Sequence, residues 1–90
     1  MLNLAGNQIE KVEKIGNLRS LTELNLRRNK ISEVFDLDYL PVLQRVFLSN
    51  NNIESFDKAG SLFNVKYLIE LAIDGNPVSM EAKSRYRSYV

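Results

Sequence analysis

The sequence predicts an α/β solenoid, in which stacked turns of the chain each add one short strand to a parallel β-sheet. Two observations support this fold class. The 90 residues include thirteen leucines and ten asparagines, and the chain aligns with itself. Leucine suits buried positions, whereas asparagine is a poor former of helices and strands and favours turns. A chain rich in both must place asparagine in turns repeatedly, which indicates an internal repeat.

The repeat occurs in four copies, which begin at Leu2, Leu24, Val46 and Leu71, at spacings of 22, 22 and 25 residues. In each copy two apolar residues flank a single residue, and this alternation is typical of a strand. The three extra residues of the third copy fall at 63–67. Residues 79–90 have some helical spacing and can cover the last turn as a C-terminal helical cap. We therefore expect one domain, 1–90, with repeats at about 1–20, 21–42, 43–67 and 68–78 and a cap at 79–90.

One asparagine follows the strand in every copy, and these residues are predicted to form a ladder of side-chain amides, Asn7, Asn29, Asn51 and Asn76. Each amide can pair with backbone groups that no strand partner reaches. The other apolar positions fill the interior of the coil. A single repeat cannot bury its own apolar side, so its neighbours must cover it. Since the first strand begins at once without a lid, we expect the chain to be a fragment of a longer repeat protein.

Composition excludes several classes of function. Twelve Lys and Arg against eleven Asp and Glu give a net charge of +1, which argues against direct nucleic-acid binding. The chain has no cysteine and no histidine, so zinc sites and Cys or His nucleophile–base pairs are excluded. No apolar run is long enough to span a membrane. We expect a cytoplasmic protein that is not an enzyme and has no cofactor, metal or small-molecule substrate.

The pattern LxxLxLxxNxI resembles the leucine-rich repeat family over the whole chain. The period of 22 residues is similar to the short class typified by a regulatory subunit of protein phosphatase 1, and residues 75–78 with 86–90 resemble the C-terminal cap of that class. This resemblance implies strands on a concave face, loops or 3-10 turns on a convex face, and protein binding by the concave face. The outward-facing residues on or just after the strands are then the candidate binding residues: Glu23, Asn25, Arg27, Arg28, Arg45, Phe47, Glu70 and Asp74.

Two features of this face have alternative interpretations. Glu23, Arg45 and Glu70 occupy equivalent positions, and they can neutralise one another across strands or present a charge pattern to a partner. Phe47 lies between two interior residues, so its ring points outward. Aromatic and arginine side chains are enriched at binding hot spots, which makes Phe47 the leading candidate. The alternatives are a single exposed aromatic without a role, and an arginine that stacks on the ring within the chain.

Residues 2–9, 21–31 and 74–78 are similar to the leucine-rich-repeat subunit of the tubulin polyglutamylase complex. This narrower resemblance implies a scaffold whose protein partner belongs to a tubulin-modifying or axonemal complex, located at the cytoskeleton or cilium. Two alternatives remain open within the family. The chain could be a regulatory subunit of a protein phosphatase, or a protein component of a ribonucleoprotein particle.

Overall fold

The computed structural model describes residues 1–78, so the predicted cap at 79–90 lies outside the described residues. The strands are short: β1 Leu2–Asn3, β2 Lys11–Val12, β3 Glu23–Asn25, β4 Glu33–Val34, β5 Arg45–Phe47 and β6 Glu70–Ala72. Two 3-10 helices, Leu37–Tyr39 and Gly60–Asn64, lie between strands in the second and third copies. The chain therefore forms the predicted coil of short strands and 3-10 turns.

The main sheet has four parallel strands in the order β1-β3-β5-β6. Its register pairs Leu2 with Leu24, Leu24 with Val46, and Val46 with Leu71, so each strand lies beside its equivalent in the next copy. The predicted parallel sheet is confirmed, and the longer third copy keeps the same register.

A second sheet, which the sequence analysis did not predict, is formed by β2 and β4 in the return segments of the first two copies. Val12 and Val34 are buried on it, and Val34 N–H donates to the carbonyl oxygen of Lys58 in the third copy, at 2.7 Å. Beside this sheet Glu33 forms ion pairs with Lys11 at 3.5 Å and Lys58 at 3.3 Å. Lys11, Glu33 and Lys58 thus form a linked set of ion pairs on the convex side.

The interior of the coil is filled by equivalent apolar residues of successive copies. Those buried in the second and third copies include Leu24, Leu26, Ile31, Val34, Leu37, Val46, Leu48, Ile53, Ala59 and Leu62. The matching residues of the first copy, such as Leu2 and Leu4, pack against this core but remain partly exposed. The strand residues of the first copy are therefore less buried than their equivalents that have a copy on each side.

The predicted amide ladder is present at three of its four positions, since Asn7 donates only within its own turn. Asn51 donates through Nδ2 to the carbonyl oxygens of Leu26 and Leu48, both at 2.9 Å, while its Oδ1 accepts from Ile31 N–H at 3.0 Å. Asn29 and Asn76 make the equivalent bonds in their own copies. Each of these three amides thus bridges its own turn to the preceding one, which fixes the spacing and the bend of the coil.

Candidate functional site

The register of the main sheet brings equivalent outward-facing residues into columns. Glu23 lies beside Arg45, and Arg45 beside Glu70. Asn25 lies beside Phe47, and Phe47 beside Ala72. We use the term concave face for the outward-facing residues of β1, β3, β5 and β6 together with the residues that directly follow these strands. The eight candidate residues all lie on this face.

The column of acidic and basic residues is only partly neutralised. Arg45 Nε donates to Glu70 Oε1 at 3.1 Å, and both side chains are about half exposed. Glu23, on the other side of Arg45, has no ion-pair partner among residues 1–78. Mutual neutralisation therefore accounts for one neighbouring pair, and Glu23 keeps a carboxylate free to meet a partner.

Phe47 does not expose its ring as the sequence analysis expected. Its exposure is 9%, and the guanidinium of Arg27 lies 4.2 Å from the ring centroid. Arg27 follows Asn25, the cross-strand neighbour of Phe47, by two residues, so its long side chain reaches the ring. The expectation of an open aromatic anchor is corrected: an arginine stacks on the ring within the chain, and its guanidinium forms the outer layer.

Arg27 and Arg28 lie in the turn after β3, and neither pairs with a carboxylate within the described part of the chain. Arg28 is exposed and has a left-handed backbone, with φ 58°. The equivalent residues of the first and fourth copies are Gly6 and Gly75, both with φ 74°. A Cβ added to Gly6 would lie 3.7 Å from Arg28 Nη2, so the Arg28 guanidinium reaches back over the turn of the first copy.

The two remaining candidates, Asp74 and Asn25, differ in the hydrogen bonds that they already make within the chain. Asp74 is exposed, and its Oδ1 accepts a hydrogen bond from the hydroxyl of the buried Ser49 at 2.5 Å. Asn25 is half-buried, and its Oδ1 accepts from Arg27 N–H at 3.2 Å. The Asn25 side chain thus shapes the turn that carries Arg27, whereas Asp74 leaves a carboxylate at the surface of the fourth copy.

An exposed apolar strip borders this face, and the sequence analysis did not find it. The strip, here named the apolar edge, comprises Val42, Tyr67 and Ile69, which are 40%, 57% and 64% exposed. Val42 and Tyr67 are equivalent to Ser20 of the first copy, and Ile69 is equivalent to Gln44. The detectable signal was an apolar residue at a position that is polar in another copy.

Residues 1–78 contain neither a metal-binding cluster nor a membrane-spanning helix. In that part of the chain no group of three acidic, histidine or cysteine side chains is arranged to hold a metal ion. Within residues 1–78, no helix has the length and apolar character needed to cross a membrane.

A coil of equivalent stacked turns, each adding one short strand to a parallel sheet, is the architecture of a repeat protein. The chain belongs to the leucine-rich repeat family, because the family model described as "Leucine-rich repeat" matches residues 1–90. This confirms the family resemblance read from the sequence.

This chain is similar to proteins that have different names. Tubulin-specific chaperone E of Dictyostelium discoideum is 33% identical over 95 residues, covering 86% of this chain and 18% of that protein. U2 small nuclear ribonucleoprotein A' of Homo sapiens is 33% identical over 91 residues, covering 99% of this chain and 35% of that protein. The chain therefore spans only a minor part of the length of these relatives.

A solved structure, the crystal structure of the Drosophila melanogaster SNF/U2A' complex, matches with a TM-score of 0.83 and 27% sequence identity. The match covers 97% of this chain and 50% of the matched chain. This agreement confirms the leucine-rich repeat solenoid as the fold.

Proposed function

We propose that the chain is a non-catalytic scaffold that binds a protein partner on its concave face. The observation that carries this proposal is the group of unpaired charges on a rigid sheet. Glu23 on β3, and Arg27 and Arg28 just after it, have no ion-pair partner within residues 1–78. Charged groups arranged on a rigid sheet without partners of their own are suited to select a complementary surface.

The partner that we favour is part of a cytoskeletal or ciliary assembly in the cytoplasm, such as a tubulin-modifying or axonemal complex. The similarity to a tubulin-specific chaperone supports a link to tubulin.

The second candidate is a protein component of a ribonucleoprotein particle, in which the chain contacts another protein. The similarity to a small nuclear ribonucleoprotein favours it, as does the match to a structure of a complex. Direct RNA contact is not part of this candidate, because Glu23, Glu70 and Asp74 lie among the arginines of the concave face. A phosphatase regulator is disfavoured, since arginines interrupt the acidic surface that this interpretation requires.

The experiment compares two arginine substitutions on opposite faces. Ala72→Arg places a charged side chain beside Phe47 on the concave face, and Ser55→Arg places one at the exposed convex position equivalent to Lys11 and Glu33. We expect Ala72→Arg to abolish partner capture in a quantitative pull-down, while Ser55→Arg captures as much as the wild type. Melting temperatures of both variants control for folding.

The identity of the captured protein separates the two candidates. Tubulin or a tubulin-modifying subunit supports the first, and a ribonucleoprotein component supports the second. Equal capture by the two variants would contradict binding on the concave face.

A further inference from the structure

We infer that the segment bound by the concave face is acidic and that its carboxylates pair with Arg27 and Arg28. This inference rests on the proposed function, since it names the chemistry of the partner at the same surface. Three features support it: the charges that are left unpaired, the way each guanidinium is held, and the positions of the chain's own acidic residues.

Two arginines of the concave face carry charges that are not neutralised within the described residues. Three arginines lie on the concave face, and Arg45 is already paired with Glu70. Neither Arg27 nor Arg28 has a carboxylate partner among the described residues. A guanidinium offers planar, two-pronged donors that match a carboxylate, so these two side chains are the open positions for acidic groups of a partner.

Arg27 is held in place before a partner binds. Its guanidinium stacks on Phe47 at 4.2 Å, and the ring is almost fully covered. A long side chain that is already ordered loses less conformational freedom when it binds. Phe47 is therefore a positioning residue that acts through Arg27, and the guanidinium, rather than the ring, contacts the partner.

The backbone conformation of Arg28 also sets this residue apart. Its φ of 58° lies in the left-handed region, where a residue with a Cβ is less stable than glycine. Two other copies place glycine at this position, Gly6 and Gly75, and the third copy places Asn50 there with φ 60°. Among the four described copies Arg28 is therefore the one long, charged side chain at this left-handed turn, where glycine would relieve backbone strain and asparagine tolerates it.

The two guanidiniums point in opposite directions along the solenoid. Arg28 reaches back toward Gly6 in the first copy, and Arg27 reaches forward to Phe47 in the third. Two steps between neighbouring strands amount to about 10 Å. One carboxylate cannot span this distance, so the arginines suit two separate carboxylates rather than one.

Acidic residues of the chain limit where the segment can lie. Glu70 and Asp74 are exposed in the fourth copy, and they repel an acidic partner there. The acidic segment is therefore confined to the turns that follow the strands of the first three copies. Glu23 lies at the opposite end of β3 from Arg27, four residues before it. A nucleic acid carries a phosphate on every nucleotide and is repelled by Glu70 and Asp74 where it continues along the face, so a short acidic protein segment fits better than RNA.

The test is a titration followed by NMR, which detects weak binding. The ¹⁵N-labelled chain is titrated with a glutamate-rich peptide and, separately, with a glutamine-substituted peptide of equal length. We expect the glutamate peptide alone to shift the backbone amides of Arg27 and Arg28 and the guanidinium Nε–H signals. Equal shifts from both peptides, no shifts, or shifts confined to other residues would overturn the inference.

Variants sharpen the titration. Arg27→Gln and Arg28→Gly are each expected to weaken peptide binding by about tenfold, the usual size for a lost hydrogen bond between charged groups. Lys58→Gln, which removes the same charge from the convex side, is expected to change it less than about twofold. Equal weakening by all three variants would mean that only net charge matters, and it would contradict the inference.

The role of Phe47 is tested by a double-mutant cycle. We expect Phe47→Leu to weaken peptide binding in the wild-type background but to add nothing to Arg27→Gln, because the ring acts only through that guanidinium. Additive losses would show that Phe47 does not act through Arg27. Conservation of the amide spectrum confirms that each variant remains folded.

Two further outcomes separate this inference from the proposed function and from RNA binding. If Ala72→Arg abolishes partner capture while Arg27→Gln and Arg28→Gly leave it intact, the scaffold stands and the acidic segment is wrong. If a single-stranded oligouridylate binds more tightly than the glutamate peptide with the same dependence on arginine, RNA is the ligand and the inference is overturned.

Discussion

The first and third copies of the repeat have nearly the same pattern but very different surroundings. Leu48 in the third copy is fully buried, whereas its equivalent Leu4 is partly exposed. Asn51 bridges two turns, whereas Asn7 donates only to Leu4 and Ala5 of its own turn, at 2.8 and 3.5 Å. Equivalent residues therefore contribute unequally to the stability of the fold, because most of the stabilisation of each residue is provided by the neighbouring copy.

The largest expected effect comes from the core. Leu48→Ala should lower the free energy of unfolding by about 2–5 kcal/mol, since it leaves a cavity between two copies. Leu4→Ala should cost less than about 2 kcal/mol, because that side chain is already partly in water. Chemical denaturation of the two variants measures both values. Equal losses would contradict the dependence on neighbours.

The amide ladder gives the next comparison. Asn51→Ala should cost about 1–3 kcal/mol, because the backbone groups of Leu26, Leu48 and Ile31 lose their partner. Asn7→Ala should cost under about 1 kcal/mol, since Asn7 is exposed and water can replace its bonds. Thermal unfolding of both variants checks the pair, and an unchanged melting temperature for Asn51→Ala would contradict the ladder.

The two glycines in the left-handed turns give a smaller and more local difference. Gly6→Ala should cost about 1 kcal/mol from the backbone alone, because its Cβ would make only an ordinary contact, 3.7 Å from Arg28 Nη2. Gly75→Ala should cost more, since its Cβ would overlap Asn50 Oδ1. Adding Asn50→Gly removes the side-chain overlap and should recover most of the extra cost, while the Asn50 backbone nitrogen stays 3.0 Å from the added Cβ. A failure of this rescue, measured by denaturation, would mean that the loss has another cause.

The sequence was sufficient to predict the main sheet and the ladder because both depend on spacing. A fixed period places Leu24 beside Val46 and sets Asn51 one turn from Asn29, whatever the other side chains do. The second sheet was not predicted, since its two-residue strands around Val12 and Val34 have little periodicity of their own.

The concave face was harder to predict because it depends on the conformations that long side chains adopt. The alternation around Phe47 correctly predicts which side of the sheet it occupies, but only coordinates show that Arg27 covers it. The left-handed backbone of Arg28 could have been inferred from the glycines at equivalent positions in two other copies. The direction of its guanidinium could not, since a flexible side chain has many rotamers.

Cross-saturation NMR of the chain in complex with its captured partner tests the central claim most directly. Saturating the partner and observing the deuterated chain identifies the amides that lie against it. The account predicts intensity losses along residues 23–28 and 45–50 of the concave face, with none along β2 and β4. Losses confined to β2 and β4 would contradict it.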